Sequence, residues 1–364
     1  MKKIFFVATF IILAIIAGIC VINIYEAETE VTKETTKVGV LLNGSIDDKS
    51  WSQSHYIGLQ ETAEELNLEV LYKENVTEEN VFSAIEAFIE EECEIIIANS
   101  VGFSDGVTSA AQKYPEIYFF HATGVGESKN LTTYFGRMYQ IRYLTGIVAG
   151  LQTETNAIGY VAAFPISEVN RGINAFTLGV RSVNPNASVY VKWTNTWNDD
   201  AITGEVTNAL LEEYDIDVLT MHTDSVKPLE IAEQRGVMSI GYNVDNSTNY
   251  PNTYLTAAVW DWNDFYKPNI LKCLQGKFEG QHYWEGVNTG IVSMAPYTDI
   301  VREGTAEIVE REFHRLSSGS FDVFYGPIRD TEGNLRVAED ESMTDNNMLN
   351  EFDWYVEGVV LVEE

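Results

Sequence analysis

Residues 37–59 read KVGVLLNGSIDDKSWSQSHYIGL. The apolar run at residues 38–42 is typical of a buried strand. An Asn-Gly pair ends that run, a polar loop with two adjacent aspartates follows, and a helical pattern begins near Trp51. The stretch therefore predicts a strand, a loop and a helix N-terminus, the place where ligands bind in open parallel sheets. Its carboxylates and aromatic faces favour a small polar ring as the ligand.

Apolar, β-rich segments alternate with helical periodicity along the rest of the chain. The first group contains LEVLYKENV, EIIIANS and IYFFHATG, and a second group restarts with AIGYVAAF, ASVYVKW, DVLTMHTD and VMSIGYN. This alternation predicts βαβ units and parallel sheets. We therefore expect an α/β protein with two doubly wound lobes at residues 37–151 and 152–285. Residues 286–364 should contain segments that cross back between the lobes and a C-terminal tail.

The composition limits the class of protein. At 364 residues, with 45% hydrophobic and 12% aromatic residues, the chain can bury a large core and suits two domains. It has 23 lysines and arginines against 55 aspartates and glutamates, which gives a net charge of −32. Such a chain repels phosphate backbones, so the charge argues against nucleic-acid binding. The acidic residues are spread over the whole length, as on a solvated surface.

The N-terminus carries a targeting signal. Lys2 and Lys3 precede a largely apolar run at residues 4–24, which is long enough to span a bilayer. The positive end should stay in the cytoplasm, which places the bulk of the chain outside. We expect residues 1–26 to form a membrane anchor or signal segment and residues 27–36 a polar linker.

The cysteines leave the type of anchor open. Cys20 is a candidate for lipid attachment, although Ile19 stands where a small residue is expected. Residues 25–27 form a poor cleavage site, which favours an uncleaved anchor. Cys93 and Cys273 lie far apart in apolar surroundings and are expected to be buried thiols.

Five sequence blocks, in the same order along the chain, resemble the basic membrane protein family, the purine-nucleoside-type substrate-binding lipoproteins of ABC importers. They are IDDKSWSQSHYIGLQ (46–60), YPEIYFFHATG (114–124), YFGRMYQIRYLTGIVAG (134–150), MHTDSVKPLEIAEQRGVMSIGYNVD (221–245) and VFYGPIRDTEG (323–333). The resemblance implies a type I periplasmic-binding-protein fold whose two lobes close about a hinge. It also implies a purine base or nucleoside as the ligand, and ABC permease and ATPase subunits as partners.

The resemblance places several first-lobe residues in the binding pocket. Asp47 and Asp48 match pocket positions of the family, although Asp48 could instead cap the helix that follows. Trp51 offers an aromatic face, and Tyr56 matches a position that stacks on the base. His121 belongs to the HATG motif and either donates to the ligand or a neighbouring loop, or is a satisfied core histidine.

The loops of the second lobe supply the opposite wall. Trp197 lies in NTWNDD, after a predicted strand, where the family places an aromatic on the other side of the base. Tyr56 and Trp197 are therefore expected to sandwich a flat heterocycle. His222 and Asp224, in MHTDS, either contact polar edges of the ligand or form a hydrogen-bonded turn.

Two departures from the family concern the sugar. The segment GYNVD resembles the GVDxD segment whose carboxylates hold the ribose, but Asn243 replaces the first aspartate and Asp245 retains the second. Nucleoside-binding members have a lysine on the next strand, whereas this chain presents Trp260. The loss of a charged ribose-binding group predicts a smaller or flatter ligand, such as a free purine base.

Other functional classes find less support in the sequence. Residues 102–106 read GFSDG and fit the G-x-S-x-G pattern of serine hydrolases, with Ser104 as nucleophile, but no HGGG-type loop precedes them. The histidines lack metal-ligand spacing, and no Walker or G-x-G-x-x-G loop is present, so neither metal nor cofactor is expected. A membrane-tethered sensor or regulator with the same pocket is the main alternative to transport.

Overall fold

The computed structural model of the chain describes residues 35–363. The predicted anchor or signal segment at residues 1–26, with Cys20, lies outside that range, as does most of the predicted linker at residues 27–36. Within the described residues, no helix combines the length and apolar character needed to cross a membrane.

Strands and helices alternate through most of the described chain, as the sequence predicts. The strands are β1 (Lys37–Leu41), β2 (Glu69–Lys73), β3 (Ile95–Ala98), β4 (Tyr118–Ala122), β5 (Leu131–Gly136), β6 (Ala157–Ala162), β7 (Ser188–Trp193), β8 (Val218–His222), β9 (Met238–Asn243), β10 (Tyr254–Trp260), β11 (His282–Glu285), β12 (Val292–Met294), β13 (Ile328–Arg329), β14 (Leu335–Val337) and β15 (Val359–Leu361). The α-helices are α1 (Trp51–Leu66), α2 (Val81–Glu90), α3 (Ser104–Lys113), α4 (Tyr139–Gln152), α5 (Ser167–Val183), α6 (Asp200–Glu213), α7 (Lys227–Arg235), α8 (Asn263–Leu274), α9 (Thr305–Ser317) and α10 (Asp345–Asn350). Single turns of 3₁₀ helix occur at Glu78–Asn80, Val101–Phe103 and Val287–Thr289.

Two sheets define two lobes. The first lobe has a six-stranded sheet in the order β11-β5-β4-β3-β1-β2, in which all neighbours are parallel. The second has a seven-stranded sheet in the order β12-β10-β9-β8-β6-β7-β15, parallel except for the β10–β12 pair. A small antiparallel hairpin, β13–β14, follows α9. The expected pair of doubly wound sheets is therefore present.

The central strands are buried on both faces, which explains their continuous apolar sequence. In β3, Ile95 and Ile97 face one core, whereas Ile96 and Ala98 face a second core that includes Phe88 of α2. This alternation follows from the pleat of the strand. Helices therefore cover both faces of the first sheet.

Helices α4 and α5 pack with their backbones in close approach. A side chain at Gly146 would clash with the carbonyl oxygen of Phe176, and one at Gly179 would clash with that of Tyr143. Glycine is thus required at this contact because no Cβ fits. The close contact fixes α4 in the second lobe, directly after the chain leaves β5.

The chain passes between the lobes three times within residues 35–363. The connections are residues 137–138 after β5, residues 261–262 after β10 and residues 286–291 after β11. Three adjacent connections of this kind form a hinge about which two lobes can close.

Several elements belong to a different lobe from the one that the predicted boundaries give them. The predicted first lobe, 37–151, includes most of α4, which packs on α5 in the second lobe. The predicted second lobe, 152–285, includes β11, which pairs with β5 in the first sheet, and α8, which packs on α1. Sequence periodicity identifies elements but not the sheet that each one joins, and this accounts for the difference.

Candidate functional site

A cavity lies between the lobes, where the C-terminal ends of strands from both sheets meet. Its volume is ≈ 120 Å³. We call it the cleft cavity, and its lining residues are Asn43, Trp51, Asn99, Ser100, Val101, Thr123, Phe135, Ile166, Glu168, Trp197, Asp224, Tyr242 and Asn243. Ligands of open α/β sheets bind at this edge of the strands.

Aromatic rings from both lobes line the cleft cavity. The first lobe contributes Trp51 and Phe135, whose ring centroids are 6.2 Å apart. Trp51 is held in place because its Nε1 donates a hydrogen bond of 2.7 Å to the Asn99 carbonyl oxygen. The second lobe contributes Trp197 and Tyr242. Rings placed on both sides of a cleft suit a flat ligand that stacks between the lobes.

The guanidinium of Arg142 packs on the ring of Tyr242. Arg142 is fully buried, and its guanidinium carbon lies 3.9 Å from the centroid of the Tyr242 ring. Its Nη1 donates to the Met221 carbonyl oxygen at 2.9 Å. Arg142 is not among the lining residues, and its cation holds the Tyr242 ring by a contact that is strong when it is desolvated.

Amide side chains of the first lobe form a fixed polar edge. The Asn99 Oδ1 accepts a hydrogen bond of 2.9 Å from the Asn43 backbone N–H. The Ser52 hydroxyl donates to the Asn43 Oδ1 at 3.2 Å and accepts from the Asn99 Nδ2 at 3.4 Å. Because the amides hold one another, their remaining donors and acceptors have a defined direction.

Asp224 supplies a carboxyl group with spare acceptor capacity. Within residues 35–363 its side chain accepts one hydrogen bond, from the Asn243 Nδ2 at 3.3 Å. Burial raises the pKa of Asp224 well above its usual value, and the nearby charges of Asp48 and Glu168 raise this pKa further. A carboxyl group without a cationic partner is costly to ionise and is ready to accept hydrogen bonds from ligand N–H groups.

Asn243 connects the lobes at the back of the cavity. Its Nδ2 donates to the Ser50 hydroxyl at 2.9 Å, and its Oδ1 accepts from the Trp260 Nε1 at 2.9 Å. Its φ of 72° lies in the left-handed region, which asparagine tolerates better than most residues. Nearby, the Asn246 Nδ2 donates to the Lys49 carbonyl oxygen at 3.0 Å. Two side chains of the second lobe thus bind the loop that precedes α1.

Four of the residues that the sequence offered as ligand contacts line the cleft cavity, namely Trp51, Trp197, Asp224 and Asn243. Three others lie directly behind its wall. The His121 Nε2 lies 2.7 Å from the Ser100 carbonyl oxygen, the His222 Nδ1 lies 3.1 Å from the Tyr160 hydroxyl, and Trp260 bonds Asn243. Burial lowers the pKa of both histidines to about 4, so each is neutral at physiological pH. His121 and Trp260 bond lining residues directly, and the His222 ring packs on the lining Tyr242 with ring centroids 4.7 Å apart, so all three support the wall.

The other predicted site residues lie away from the cleft cavity. The Asp48 carboxylate accepts hydrogen bonds from the backbone N–H groups of residues 50, 52 and 53, which caps α1. Asp47 is exposed and bonds the Ser45 hydroxyl, and Asp245 accepts from the backbone N–H of residue 247. Tyr56 packs on Tyr72, with ring centroids 5.3 Å apart. The expected Tyr56–Trp197 sandwich is not formed, because Tyr56 faces β2; Trp51 occupies the cleft instead.

Several lining residues were not predicted from the sequence. Asn99, Thr123 and Glu168 each lie shortly after a strand, and Phe135 and Tyr242 lie near the end of one. The signal was therefore present, because polar or aromatic residues at the C-terminal ends of predicted parallel strands are candidates by position alone.

The G-x-S-x-G segment does not form a nucleophile elbow. The Ser104 hydroxyl donates a hydrogen bond of 2.6 Å to the Val101 carbonyl oxygen, one turn back. The nearby His121 ring is bonded to the Ser100 carbonyl instead. A serine nucleophile needs a base within hydrogen-bond reach, so this segment is an ordinary helix start.

The chain was compared with known protein families. A family model described as "ABC transporter substrate-binding protein PnrA-like" matches residues 35–316. The chain belongs to this family. The resemblance to basic membrane proteins is thereby confirmed, and a PnrA-like protein is a binding component of an ABC system rather than an enzyme.

Two curated relatives of this PnrA-like protein resemble it over most of their length. A purine-binding protein of Brucella abortus (strain 2308) is 32% identical over 351 residues, which cover 96% of this chain and 98% of the relative. A protein of Haloferax volcanii (strain DS2), whose name proposes that it is the glucose-binding protein of an ABC transporter, is 33% identical over 90% of this chain and 81% of its own.

Solved structures establish the fold of the PnrA-like chain. A transcriptional activator of the comK gene from Bacillus halodurans matches with a TM-score of 0.70 at 22% identity, over 78% of this chain and 99% of that chain. An ABC solute-binding protein from Conexibacter woesei matches with a TM-score of 0.68 at 18% identity, over 79% and 98%. The expected type I periplasmic-binding-protein fold is confirmed.

Proposed function

We propose that this chain is the extracytoplasmic solute-binding protein of an ABC importer and that it captures a purine base or nucleoside in the cleft cavity. The observation that carries the proposal is the composition of the cavity wall. Aromatic rings from both lobes line the cavity, together with the Asp224 carboxyl and the Asn43 and Asn99 amides. A purine has two flat faces for stacking and an edge of N–H donors and ring-nitrogen acceptors for these groups.

The size of the cleft cavity favours a free base as its ligand. Its ≈ 120 Å³ lies below the range of about 300–1,000 Å³ that drug-sized ligands occupy. Trp260, which stands where nucleoside-binding relatives are expected to carry a lysine, is buried against Trp262 at a ring separation of 4.6 Å. An indole in this position offers no charged group to a ribose.

The relatives support different ligands. The Brucella protein is named for purine binding, whereas the Haloferax protein is named for glucose. A purine fits the residues that line the cleft cavity better than glucose does. It supplies ring N–H groups for Asp224 and flat faces for the aromatic rings of both lobes, whereas glucose is not planar. Glucose is therefore the comparison ligand in any binding experiment.

The partners follow from the role in transport. We infer a permease and an ATPase subunit as partners and a membrane tether through the N-terminal apolar segment, with the lobes on the outer face of the membrane. The lysines at the start of the chain support this orientation.

Isothermal titration of the full chain, purified in mild detergent, tests the ligand. We expect adenine to bind more tightly than adenosine, guanosine or inosine, and glucose to give no heat. A preference for glucose would exclude the purine assignment, and binding of none of these compounds would leave only the fold and the family.

A sensory or regulatory role is the second candidate, because the match to the Bacillus halodurans activator covers almost all of that protein. Uptake of radiolabelled adenine by cells with and without the gene separates the two roles. Loss of uptake in the deletion strain supports transport, whereas unchanged uptake with altered transcription supports regulation.

A further inference from the structure

Five Asn-x-Ser/Thr sequences, the acceptor pattern for N-linked glycosylation, occur in the chain. Their asparagines are Asn43, Asn75, Asn130, Asn186 and Asn246, and none is followed by proline. The pattern is short and arises by chance, so the sequence alone does not separate acceptors from other asparagines. The surroundings of each side chain make that distinction, because the amide nitrogen has to be accessible and not already bonded within the fold.

Three of the five asparagines are committed to the folded structure. Asn130 is 7% exposed, and its Nδ2 donates to three backbone carbonyl oxygens at 3.0–3.1 Å. Asn246 is 1% exposed, and its Nδ2 donates to the Lys49 carbonyl oxygen. Asn43 lines the cleft cavity, where a glycan would take the place of the ligand. A sugar on any of these nitrogens would therefore disrupt the fold or the site.

Asn186 lies in a tight turn on the surface of the second lobe. The turn joins α5 to β7, and the Ala187 backbone N–H donates to the Asn184 carbonyl oxygen at 3.1 Å, with Pro185 at the second position. Within residues 35–363 the Asn186 side chain is exposed and makes no hydrogen bond. Strand β7 begins here, whereas the cleft cavity lies at the C-terminal ends of the strands. A glycan at Asn186 would therefore leave the ligand site open.

Asn75 has the same properties in the first lobe. It follows the edge strand β2 and has a φ of 54°, in the left-handed region that asparagine tolerates. Its backbone N–H donates to the Gly44 carbonyl oxygen at 3.2 Å, and that of Val76 donates to the Leu42 carbonyl oxygen at 2.9 Å, so the loop is fixed. The Asn75 side chain is exposed and makes no hydrogen bond in the described part of the chain. Thr77, the third residue of the pattern, is exposed as well, so the whole acceptor sequence is accessible.

We propose that Asn75 and Asn186 are N-glycosylated and that Asn43, Asn130 and Asn246 are not. The inference rests on the proposed function, which places the lobes on the outer face of the membrane. The co-substrate is an oligosaccharide linked to a polyprenyl phosphate or diphosphate carrier. A bond forms between the asparagine Nδ2 and the anomeric carbon of the first sugar, and the bond from that carbon to the phosphate oxygen of the carrier breaks. The released phosphate takes up the proton that Nδ2 loses.

The test uses the full chain, purified in mild detergent from its own cells, with mass spectrometry of its peptides as the readout. We expect the peptides that contain Asn75 and Asn186 to carry a sugar mass and those that contain the other three asparagines to be unmodified. Asn186→Gln should lose one glycan and bind adenine as the wild type does. Ser188→Ala should lose the same glycan, whereas the matched control Ser188→Thr keeps the acceptor pattern and should keep the glycan. Thr77→Ala and Thr77→Ser form the equivalent pair for Asn75.

Labelling of intact protoplasts with a membrane-impermeant amine reagent separates failure of the inference from failure of the proposed function. If the chain is labelled from outside but Asn75 or Asn186 is unmodified, the assignment of that position is overturned. A glycan on Asn130 or Asn246 would overturn the argument from burial, and a glycan retained in Ser188→Ala would show that the acceptor pattern is not what is modified. If the chain is labelled only after lysis, the outer-face location itself is wrong, and the proposed function fails with it.

Discussion

Asp224 combines a binding role with a cost to stability. Its carboxyl group faces the cleft cavity and has no cationic partner within residues 35–363. The charges of Asp48 and Glu168 repel its ionised form. Because burial raises its pKa, the folded protein keeps this proton at pH values where the unfolded chain has lost it. The folded state then binds more protons than the unfolded state, and the free energy of unfolding falls as pH rises through that window.

Replacement of Asp224 by asparagine should therefore stabilise the empty protein and weaken binding. We expect a gain of roughly 1–3 kcal/mol in the free energy of unfolding at neutral pH, because the folded protein no longer has to keep a proton that the unfolded chain has lost. The melting temperature should also vary less between pH 5 and pH 8 than in the wild type, and adenine affinity should fall. Thermal unfolding without ligand checks this, with Asp245→Asn, at an exposed position, as the control. A melting temperature for Asp224→Asn at or below that of the wild type would contradict the argument.

Trp197 is suited to test stacking because it is only half-buried. Substitution by alanine should remove one stacking face with a modest effect on folding. Base–aromatic stacking contributes about 1–3 kcal/mol per base, so we expect adenine affinity to fall roughly tenfold or more. Trp193→Ala is the matched control, since Trp193 is also half-buried but packs near Tyr355, away from the cavity. Titration of both variants checks this, and similar losses in the two would point to a general change of structure.

Single residues show where sequence reasoning stops. Trp51 and Tyr56 lie on the same helix, and both were expected in the site. They are five positions apart, which is well over one helical turn, so their side chains point in different directions. Trp51 therefore faces the cleft while Tyr56 faces β2. Similarly, Asp245 lies two residues beyond Asn243, and only Asn243 points into the cavity. A motif identifies the loop, but the direction of each side chain depends on the packing of the whole lobe.

At the scale of elements, the start of α1 decides how the first loop is used. The Asp48 carboxylate accepts three backbone hydrogen bonds, so it organises the loop that bears Asn43 and leads into Trp51. Burial raises the pKa of Asp48 even though these amides favour its charged form. The helix N-terminus offsets part of the cost of burying the charge. Asp48 is thus a structural residue of the site.

This assignment predicts different results for two substitutions of Asp48. Asparagine caps helices nearly as well as aspartate, so Asp48→Asn should keep both stability and adenine affinity, whereas Asp48→Ala should lose about 0.5–2 kcal/mol of stability. Chemical denaturation and titration measure the two effects. Asp47→Ala, at the exposed neighbouring position, should change stability by less than about 0.5 kcal/mol. A large loss of binding in Asp48→Asn with normal stability would show that Asp48 contacts the ligand directly.

Elements were easier to predict than their arrangement. Helix α9 (Thr305–Ser317) can be recognised in the sequence, because its apolar positions recur with the helical period. By contrast β11 has four residues, HYWE, that show no clear alternation of burial, and it joins the first sheet only because the chain returns across the cleft. Short strands of this kind are fixed by long-range pairing, which a single sequence does not show.

At the scale of the whole molecule, hydrogen bonds across the cleft hold the two lobes together. Asn243 bonds Ser50, and Asn246 bonds the Lys49 carbonyl, so two asparagines of the second lobe hold the loop before α1. Such bonds favour an arrangement in which the lobes are closed. A ligand that stacks between the lobes then needs to supply less free energy for closure.

Loss of the Asn246 contact should shift the empty protein towards an open arrangement. One hydrogen bond contributes about 0.5–1.5 kcal/mol, so Asn246→Ala should lower the closed-to-open ratio roughly two- to tenfold. Small-angle scattering of the unliganded protein should give a larger radius of gyration, and saturating adenine should restore the wild-type value. Asn249→Ala is the matched control, because the Asn249 side-chain amide bonds the Asn246 Oδ1 within the second lobe instead of a group of the first lobe. If both variants scatter like the wild type, the lobes are held by packing at the hinge, and the two asparagines only orient the loop that leads to Trp51.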